Sequence, residues 1–380
     1  MSTDREGLVL TEAPGMPRLR EARFADYPQI YDLESVFFPD SLPPAQRRGL
    51  FVDNPLWSRL ADTWPIGWVL EDGAGRIVGS INNIPSAYVL GGAEKLCANG
   101  HCWAVLPEYR GYAVMLMDEF LSQEQPDLIV SAKVGVDATP VWRAYAQRMP
   151  VGDWSRASYV ITHYRGFARA ALRRKGVPLA GLAGLPVAAA LRARDVLRAT
   201  AVPEPPPSVH VAEVSSFDAR FDAFWAELVE QNPTTLLGVR DCAALRWHYG
   251  VPLRANRLTI LTATRDDRIR AYCVLKQHDR PGALRSMKLV DFQTLEPEHD
   301  LLSGLIGLAL RRSADAGCVM LEHHGCGLPK MRSFDALAPY RAAKPAWSFY
   351  YLPVDPALAE RLADPGTWDP SEYDGDSSYK

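Results

Sequence analysis

The chain has 380 residues, and at about 150 residues per domain this length predicts two globular domains. Its hydrophobic fraction of 47% and its charged fraction of 23% exclude a mainly disordered or fibrous protein. The 42 basic and 45 acidic side chains give a formal net charge of −3, and this balance argues against general nucleic-acid binding.

The cysteines and the lack of targeting signals bear on the compartment. Six cysteines scattered through the chain are too few for a disulfide scaffold and are typical of reduced, mostly buried thiols. The N-terminal sequence lacks the basic, apolar and small-residue order of a signal peptide, and no run of about 18 uncharged apolar residues occurs. We therefore expect a cytoplasmic protein without a transmembrane segment.

Helix-like and strand-like patterns alternate through the first half of the chain. Apolar residues at helical spacing predict an opening helix at 23–38. Two strand-like runs around a glycine-rich turn, 66–71 and 76–84, predict a hairpin. The remaining pattern predicts a strand, a helix, a strand, a helix and a strand, at 101–106, 112–123, 128–134, 140–147 and 158–163.

A segment of different composition, residues 166–208, separates the two halves. It contains Arg173, Arg174 and Lys175, continues as an Ala/Leu/Gly run, and ends in prolines at 203 and 205–207. This composition favours a helix that packs between the domains, followed by a stiff proline spacer. The alternative is a basic amphipathic segment that lies on an anionic membrane surface.

The second half repeats the order of the first. Its predicted elements are a helix, a hairpin, a strand, a helix, a strand and a final strand, at 217–230, 258–263 with 269–276, 286–295, 301–314, 319–323 and 347–352. The repeat predicts an α/β fold of two similar domains. The predicted boundaries are 1–165 for the first domain, 166–208 for the linker, 209–368 for the second domain and 369–380 for a flexible tail.

The most informative segment runs from Trp103 to Leu116. A predicted strand ends at Pro107, a short loop contains Arg110 and Gly111, and a predicted helix follows at once. The N-terminus of a helix attracts anions through its free N–H groups and its dipole. Glycine permits close approach of a phosphate, and arginine adds a charge-assisted hydrogen bond. This segment therefore predicts a phosphate-binding loop; a strand-to-helix turn without a ligand is the alternative.

At these residues the chain resembles the GNAT N-acetyltransferase superfamily, whose acyl-CoA loop has a valine, a proline, an arginine–glycine pair and small residues before a helix. The matching residues are Val105, Pro107, Arg110, Gly111 and Ala113, and Met115 departs from the pattern at a later small position. The resemblance implies that acetyl-CoA or another acyl-CoA is the co-substrate. It places the acyl-CoA loop at Val105, Arg110, Gly111, Tyr112, Ala113, Val114 and Met115.

The resemblance also implies catalytic residues. In the superfamily a tyrosine on the helix after the next strand protonates the departing thiolate, and Tyr145 is at the corresponding place. A buried core position is the alternative for Tyr145. An amine acceptor must lose a proton, and His101 is the candidate base, although a hydrogen-bonded structural role is the alternative. Asn82, Asn83 and Trp103 are candidate substrate residues.

The second half lacks such a loop. Its corresponding segment, 295–300, contains three acidic residues and no Arg–Gly pair, so like charges would repel CoA phosphates. His323 and His324 are adjacent in a predicted strand and point to opposite faces, so no metal site is predicted. The second half therefore resembles a degenerate GNAT-like domain.

The resemblance implies two GNAT-like domains, each with a mixed, mostly antiparallel sheet flanked by helices. It also implies an acyltransferase that moves an acetyl or other short acyl group from acyl-CoA to an amine of a small molecule or sugar, as part of a biosynthetic process. Two alternatives stay open. One is a non-enzymatic GNAT-like binding or scaffold protein, and the other is a FemAB-type transferase that depends on aminoacyl-tRNA. A net charge of −3 gives little support to a tRNA-facing surface.

Overall fold

A computed structural model of the chain describes residues 15–198, 207–279, 284–295, 299–344, 347–376 and 378–379. The strands of the described residues are β1 (Arg18–Glu21), β2 (Gly67–Glu71), β3 (Ile77–Leu90), β4 (Ala93–Val105), β5 (Leu128–Val134), β6 (Gln147–Arg148), β7 (Asp153–Ile161), β8 (His210–Val214), β9 (Leu237–Gly238), β10 (Leu258–Arg265), β11 (Arg268–His278), β12 (Ser286–Thr294), β13 (Met320–Cys326), β14 (Tyr340–Ala343) and β15 (Ser348–Pro353).

The α-helices pack on the faces and at the ends of these strands. In chain order they are α1 (Tyr27–Phe37), α2 (Pro44–Val52), α3 (Trp57–Leu60), α4 (Ala113–Leu121), α5 (Thr139–Tyr145), α6 (Tyr164–Arg174), α7 (Ala180–Arg198), α8 (Ala219–Gln231), α9 (Cys242–His248), α10 (Gly250–Arg254), α11 (His299–Asp315), α12 (Arg332–Leu337) and α13 (Pro356–Ala363). Among the described residues, no helix is long and apolar enough to cross a membrane.

The strands form two mixed sheets, as the sequence predicts. The first sheet has the order β1-β2-β3-β4-β5-β15-β6, with β9 paired to β3, and the second has the order β14-β7-β13-β12-β11-β10-β8. Each sheet contains one parallel pair, β4 with β5 and β12 with β13, and its other pairs are antiparallel. The predicted α/β class with two mixed sheets and flanking helices is confirmed.

Two strands lie in the sheet opposite to the one that the sequence predicts. β7, predicted to close the first half, pairs with β13 and β14 of the second sheet. β15, predicted to close the second half, pairs with β5 and β6 of the first sheet. The predicted boundaries at 165 and 209 therefore do not separate the two sheets, because the first half contributes β7 to the second sheet and the second half contributes β15 and the short β9 to the first sheet.

The two sheets also share a hydrophobic core. One cluster of buried side chains includes Leu128 and Val130 of β5, Leu289 of β12, and Phe349 and Tyr351 of β15. A second cluster surrounds α4 and α5, a third surrounds α8 and α9, and a fourth lies beneath α1 and α2. Because the largest cluster draws on both halves, they form one packed body.

The segment between the halves is helical in the residues that the structure describes. α6 and α7 pack closely, and a Cβ at Gly184 would lie 3.3 Å from the backbone nitrogen of Arg169. Asp195 of α7 accepts hydrogen bonds from Tyr164 at 2.9 Å and from Tyr340 of β14 at 2.8 Å. α7 is thereby attached to the second sheet. The prolines predicted to form a spacer lie, apart from Pro207, in residues 199–206, outside the described residues.

The prediction of a flexible tail at 369–380 is wrong for the residues that the structure describes. Tyr373 is 7% exposed and Tyr379 is 1% exposed. The His248 ring stacks on Tyr373 with a centroid separation of 4.1 Å, and its Nε2 is 2.6 Å from Ser378 Oγ. Aromatic side chains within this polar segment therefore hold it against α9. Residues 377 and 380 lie outside the described residues.

Candidate active site

At the centre of the first sheet, β4 and β5 stop pairing partway along their length, and this place is called the opening below. The two strands pair in parallel only at Cys97–Asn99 and Leu128–Val130. Beyond Asn99, β4 stays paired with β3, whereas β5 pairs with β15 on its other side. Cys102 adopts a φ of +52°, in a conformation rare for residues other than glycine, close to a register shift between β3 and β4. The β4–β5 pairing therefore ends at Asn99 and Val130, close to an irregularity in β4.

The predicted acyl-CoA loop lies at the end of β4. Residues Pro107–Tyr112 form a 3₁₀ turn that leads directly into α4. Arg110 and Gly111 are exposed, and Arg110 has no hydrogen-bond or ion-pair partner among the described residues. A Cβ built on Gly111 would meet no heavy atom within 4 Å. The protein's own packing therefore does not require glycine at position 111, and the space above it is open to a ligand.

The other predicted loop residues differ in exposure. Val105 is 8% exposed and belongs to the cluster around α4, and Val114 is 42% exposed. Tyr112, Ala113 and Met115 are partly buried and pack against that cluster. Met115 therefore packs at least partly against the protein's own core.

Aromatic rings line the opening next to Gly100. A Cβ at Gly100 would lie 3.1 Å from the Phe120 ring and 3.6 Å from the Trp142 ring, so glycine is needed for this close approach. Trp142 is 3% exposed and stacks on Tyr350 of β15 with a centroid separation of 6.2 Å. The core residue of α5 is therefore Trp142.

Tyr145 lies one turn further along α5. Its side chain is 40% exposed, so the alternative of a buried core position is wrong. Its hydroxyl donates a hydrogen bond of 2.6 Å to Asp118 Oδ1 of α4, and this bond raises the pKa of Tyr145. The bond connects the two helices that follow β4 and β5. Tyr145 holds its proton at neutral pH, as a proton donor must.

His101 lies on β4, beside the bulge, and is 2% exposed. Its Nδ1 lies 2.7 Å from Asp376 Oδ2, and its Nε2 lies 3.2 Å from Cys102 Sγ. Asp376 comes from the C-terminal segment, whose Tyr379 ring packs edge-on against the imidazole at 6.5 Å between centroids. The sequence analysis missed Asp376. The aromatic residues Tyr373 and Tyr379, which are unusual in a polar tail, were the available signal that this segment packs.

A buried polar network lies next to His101. Glu34 of α1 is paired with Arg47 of α2, and the two side chains are 0% and 1% exposed. Asn82 donates to Glu34 Oε1 at 2.8 Å and to the backbone carbonyl of His101 at 3.2 Å. Ser41 donates to Glu34 Oε2 at 2.8 Å. This network fixes the strand that carries His101, and the sequence analysis missed Glu34 and Arg47.

The other two predicted substrate residues lie apart from this network. Asn83 is fully buried and donates to the Pro65 carbonyl at 3.0 Å and to Gln123 Oε1 at 2.6 Å. Trp103 is partly buried, and its indole nitrogen has no hydrogen-bond partner. The structure therefore brings His101 and Asn82 together, and it gives Asn83 partners that join β3 to the segment after α4.

The corresponding part of the second half is a buried structural site. Asp291 of β12 forms an ion pair of 3.1 Å with Arg240, and both side chains are at most 1% exposed. Burial lowers the pKa of His323 to about 4 and that of His324 well below its usual value, so both are neutral at pH 7. Among the described residues, no group of three or more His, Cys, Asp or Glu side chains could hold a metal ion. Residues 296–298 of the acidic segment lie outside the described residues.

Among the comparisons with known proteins, the one with solved structures bears on the fold. The sequence matches no protein-family model and no curated protein. Its structure is similar to a GCN5-related N-acetyltransferase from Anabaena variabilis, with a TM-score of 0.53 and 12% identity over 89% of this chain and 72% of that chain. It is also similar to a conserved protein of unknown function from Enterococcus faecalis, a probable N-acyltransferase, with a TM-score of 0.54 and 13% identity over 89% of this chain and 73% of that chain. The chain therefore has a GNAT-like fold.

Proposed function

We propose that this chain, which has a GNAT-like fold, is an acyltransferase that moves an acetyl or other short acyl group from acyl-CoA to the amine of a small molecule or sugar. The observation that carries the proposal is the opening between β4 and β5, with the exposed Arg110–Gly111 loop at its end. We assign the extended acyl-pantetheine chain to this opening, because β4 and β5 are not paired with each other there among the described residues. The expected place of action is the cytoplasm.

The loop is assigned to the CoA pyrophosphate. Arg110 supplies a charge-assisted hydrogen bond, and α4 supplies the positive end of its dipole. The open space above Gly111 admits a phosphate to the backbone. These are the features that the acyl-CoA loop needs, and this chain's own residues make no other use of the Arg110 guanidinium among the described contacts.

Removal of the acceptor's proton is assigned to His101. We assign the Nδ1–H tautomer, in which Nδ1 donates to Asp376 and Nε2, which lies 3.2 Å from Cys102 Sγ, is the basic nitrogen. The amine nitrogen forms a bond to the thioester carbonyl carbon, and its proton goes to Nε2. The C–S bond then breaks, and the leaving thiolate takes the proton of the Tyr145 hydroxyl. Tyr145 must exchange its hydrogen bond to Asp118 for one to sulfur in this step.

A non-enzymatic binding protein is the second candidate, and one observation favours it. Phe120 and Trp142 already pack against Gly100 at the start of the opening, and the Tyr145–Asp118 hydrogen bond connects the helices beside it. If these contacts persist with CoA present, a pantetheine chain would not enter. Binding of CoA therefore decides between the two candidates.

Calorimetry with CoA and acetyl-CoA tests the proposed function. Arg110→Ala removes one charge-assisted hydrogen bond, worth about 1.5–3 kcal/mol, so CoA affinity should fall roughly 10- to 150-fold. Gly111→Ala fills the open space and should weaken CoA binding without lowering the melting temperature. Arg173→Ala, at an exposed position of α6, is the matched control and should bind CoA as the wild type does.

The outcomes separate the candidates. Loss of affinity in both loop variants, together with unchanged binding by the control, supports the acyl-CoA site. Wild-type protein that binds neither CoA nor acetyl-CoA contradicts it and leaves the binding-protein candidate. A shift in melting temperature with tRNA but not with CoA would instead favour the FemAB-type alternative.

A further inference from the structure

A cleft with a volume of about 470 Å³ lies between the loop after α1 and the paired strands β11 and β12. Residues of both halves line it, including Ser41 and Leu42 from the first half. Its charged side chains are predominantly basic: five lysines and arginines against three acidic residues. The basic residues are Lys133, Arg254, Arg257, Lys276 and Lys288.

Two of these lysines lie directly opposite each other in the second sheet. Lys276 of β11 and Lys288 of β12 are paired in the antiparallel register, so their side chains share one face. They are 6% and 8% exposed. Like charges at directly opposed positions destabilise a sheet, and burial increases the cost. Without a ligand at this place, an apolar residue at position 276 would avoid this cost.

The neighbours of the lysines compensate for only part of this charge. Lys288 Nζ lies 3.5 Å from Glu372 and 4.3 Å from the centre of the Trp347 ring. Lys133 Nζ lies 4.5 Å from the same ring. Lys276, by contrast, has no hydrogen-bond or ion-pair partner among the described residues. An almost completely buried amino group therefore lines the cleft without an ion-pair partner among the described residues.

None of the three acidic residues of the cleft forms an ion pair with Lys276 among the described contacts, and two of them have other partners. Glu372 is already paired with Lys288, and Asp279 forms an ion pair of 3.3 Å with Arg285. Burial lowers the pKa of Lys276 to about 7; Glu372 opposes this shift, and Lys288 and Lys133 add to it. The surroundings of the Lys276 side chain are thus electropositive and largely shielded from water.

We propose that this cleft is a binding site for an anionic small molecule, which places a phosphate or carboxylate group against Lys276 and Lys288. Such a group accepts hydrogen bonds from the side chains of both lysines and supplies the negative counter-charge that Lys276 lacks. The exposed Arg254 at the rim adds positive potential for the approaching anion. The proposal does not depend on acyl transfer, because neither Lys276 nor Lys288 belongs to the Arg110–Gly111 loop or to the network next to His101.

The test measures the melting temperature of the full chain in sodium phosphate, sodium citrate and sodium chloride at equal ionic strength and pH 7. A ligand that binds only the native state raises stability in proportion to the logarithm of its concentration. Phosphate, citrate or both should therefore stabilise the wild type more than chloride does. The two anions distinguish a phosphate site from a carboxylate site.

Two variants and a control keep the test specific. Lys276→Met removes the unpaired amino group with little change in shape, so it should raise or preserve the melting temperature in chloride. It should also raise the anion's apparent Kd at least about tenfold. Lys133→Met, at an exposed position, should raise the anion's apparent Kd by a smaller factor. Lys175→Met, an exposed lysine after α6, should respond as the wild type does.

Two results would overturn the proposal. One is equal melting temperatures of the wild type in all three salts. The other is an unchanged anion response in Lys276→Met. A fall in the melting temperature of Lys276→Met in chloride, with the anion response kept, would assign Lys276 a structural role only.

Discussion

Carboxylates from distant parts of the chain position both candidate catalytic side chains. Asp118 of α4 accepts a hydrogen bond from Tyr145, and Asp376 of the C-terminal segment pairs with His101. The two carboxylates have different consequences. Asp376 acts on a buried imidazole and selects its tautomer, so it is a positioning residue. Asp118 holds an exposed hydroxyl, which must leave it to meet a substrate.

Tyr145→Phe separates catalysis from structure. The substitution keeps the ring and removes only the proton donor, so the rate of acyl transfer should fall by at least about tenfold, toward the 10²–10⁴-fold that general acid catalysis contributes. CoA affinity and melting temperature should change little, because Tyr145 is exposed. Steady-state kinetics with an active amine and calorimetry with CoA measure the two effects. A variant with wild-type turnover would exclude Tyr145 as the acid.

His323 should make the protein sensitive to acid. Its pKa in the folded protein is about 4, against 6.5 for an ordinary histidine, because it is buried. Between these values the unfolded chain binds more protons, so stability is fully present above pH 6.5 and falls as the pH drops to 4. At about 1.4 kcal/mol per pH unit, the loss is roughly 3 kcal/mol.

Urea unfolding of the wild type and two variants at several pH values between 7 and 4 measures this effect. His323→Leu removes the titrating group, so its free energy of unfolding should depend less on pH. His210→Leu, at an exposed position of β8, is the control and should keep the wild-type dependence. Parallel curves for all three proteins would show that other groups cause the acid sensitivity.

At the scale of residues, the sequence predicts sites made of neighbours and misses sites made of distant residues. Arg110 and Gly111 are adjacent, and a strand, a loop and a helix surround them in order, so their place at the end of β4 was predictable. Asp376 lies 275 positions from His101 in the chain, and no local pattern connects them. The unpaired charge of Lys276 was equally invisible, because it results from the register of β11 against β12.

At the scale of elements, the short helix α5 has one buried and one exposed aromatic side chain. Trp142 packs against Phe120, Gly100 and Tyr350, whereas Tyr145 faces solvent and α4. The sequence predicted the helix, but both residues are aromatic, so it did not predict which one is buried. Their three-residue spacing turns the two side chains to different environments only once the neighbouring strands are known.

Trp142→Ala tests whether Trp142, and not Tyr145, is the core residue of α5. Removing a buried indole should lower the free energy of unfolding by about 3–5 kcal/mol, because it loses apolar contacts and leaves a cavity beside Gly100. Tyr145→Ala on the same helix should cost much less. Urea unfolding of both variants measures the difference. Equal losses in the two variants would contradict the assignment of Trp142 as the core residue of α5.

Strand identity was more predictable than strand pairing. Residues 128–134 were predicted as a strand and form β5 with those bounds. Residues 158–163 and 347–352 were also predicted as strands, yet each lies in the other half's sheet. Alternation and β-branched composition act within a strand, whereas the choice of neighbour depends on contacts between distant segments. The repeated order of elements therefore suggested two independent domains. In the structure, the two halves exchange strands instead.

At the scale of the whole molecule, the exchange predicts that neither half folds alone. A fragment of residues 1–165 lacks β15, so β5 would expose an edge and part of the shared core. We expect this fragment to be insoluble or unfolded by circular dichroism. The full chain, cut by an engineered protease site between residues 198 and 207, should elute as one species in gel filtration. A soluble, cooperatively folded 1–165 fragment would show that the halves are independent.

The exchange of β15 also has a consequence during synthesis. β5 leaves the ribosome roughly two hundred residues before β15, which covers its edge in the finished protein. At about 5–20 residues per second, translation leaves that edge without its neighbour for roughly 10–40 s. Exposed strand edges of nascent chains recruit other chains. Slow elongation or crowded polysomes should therefore increase aggregation of this protein, and chaperones that hold nascent chains should reduce it.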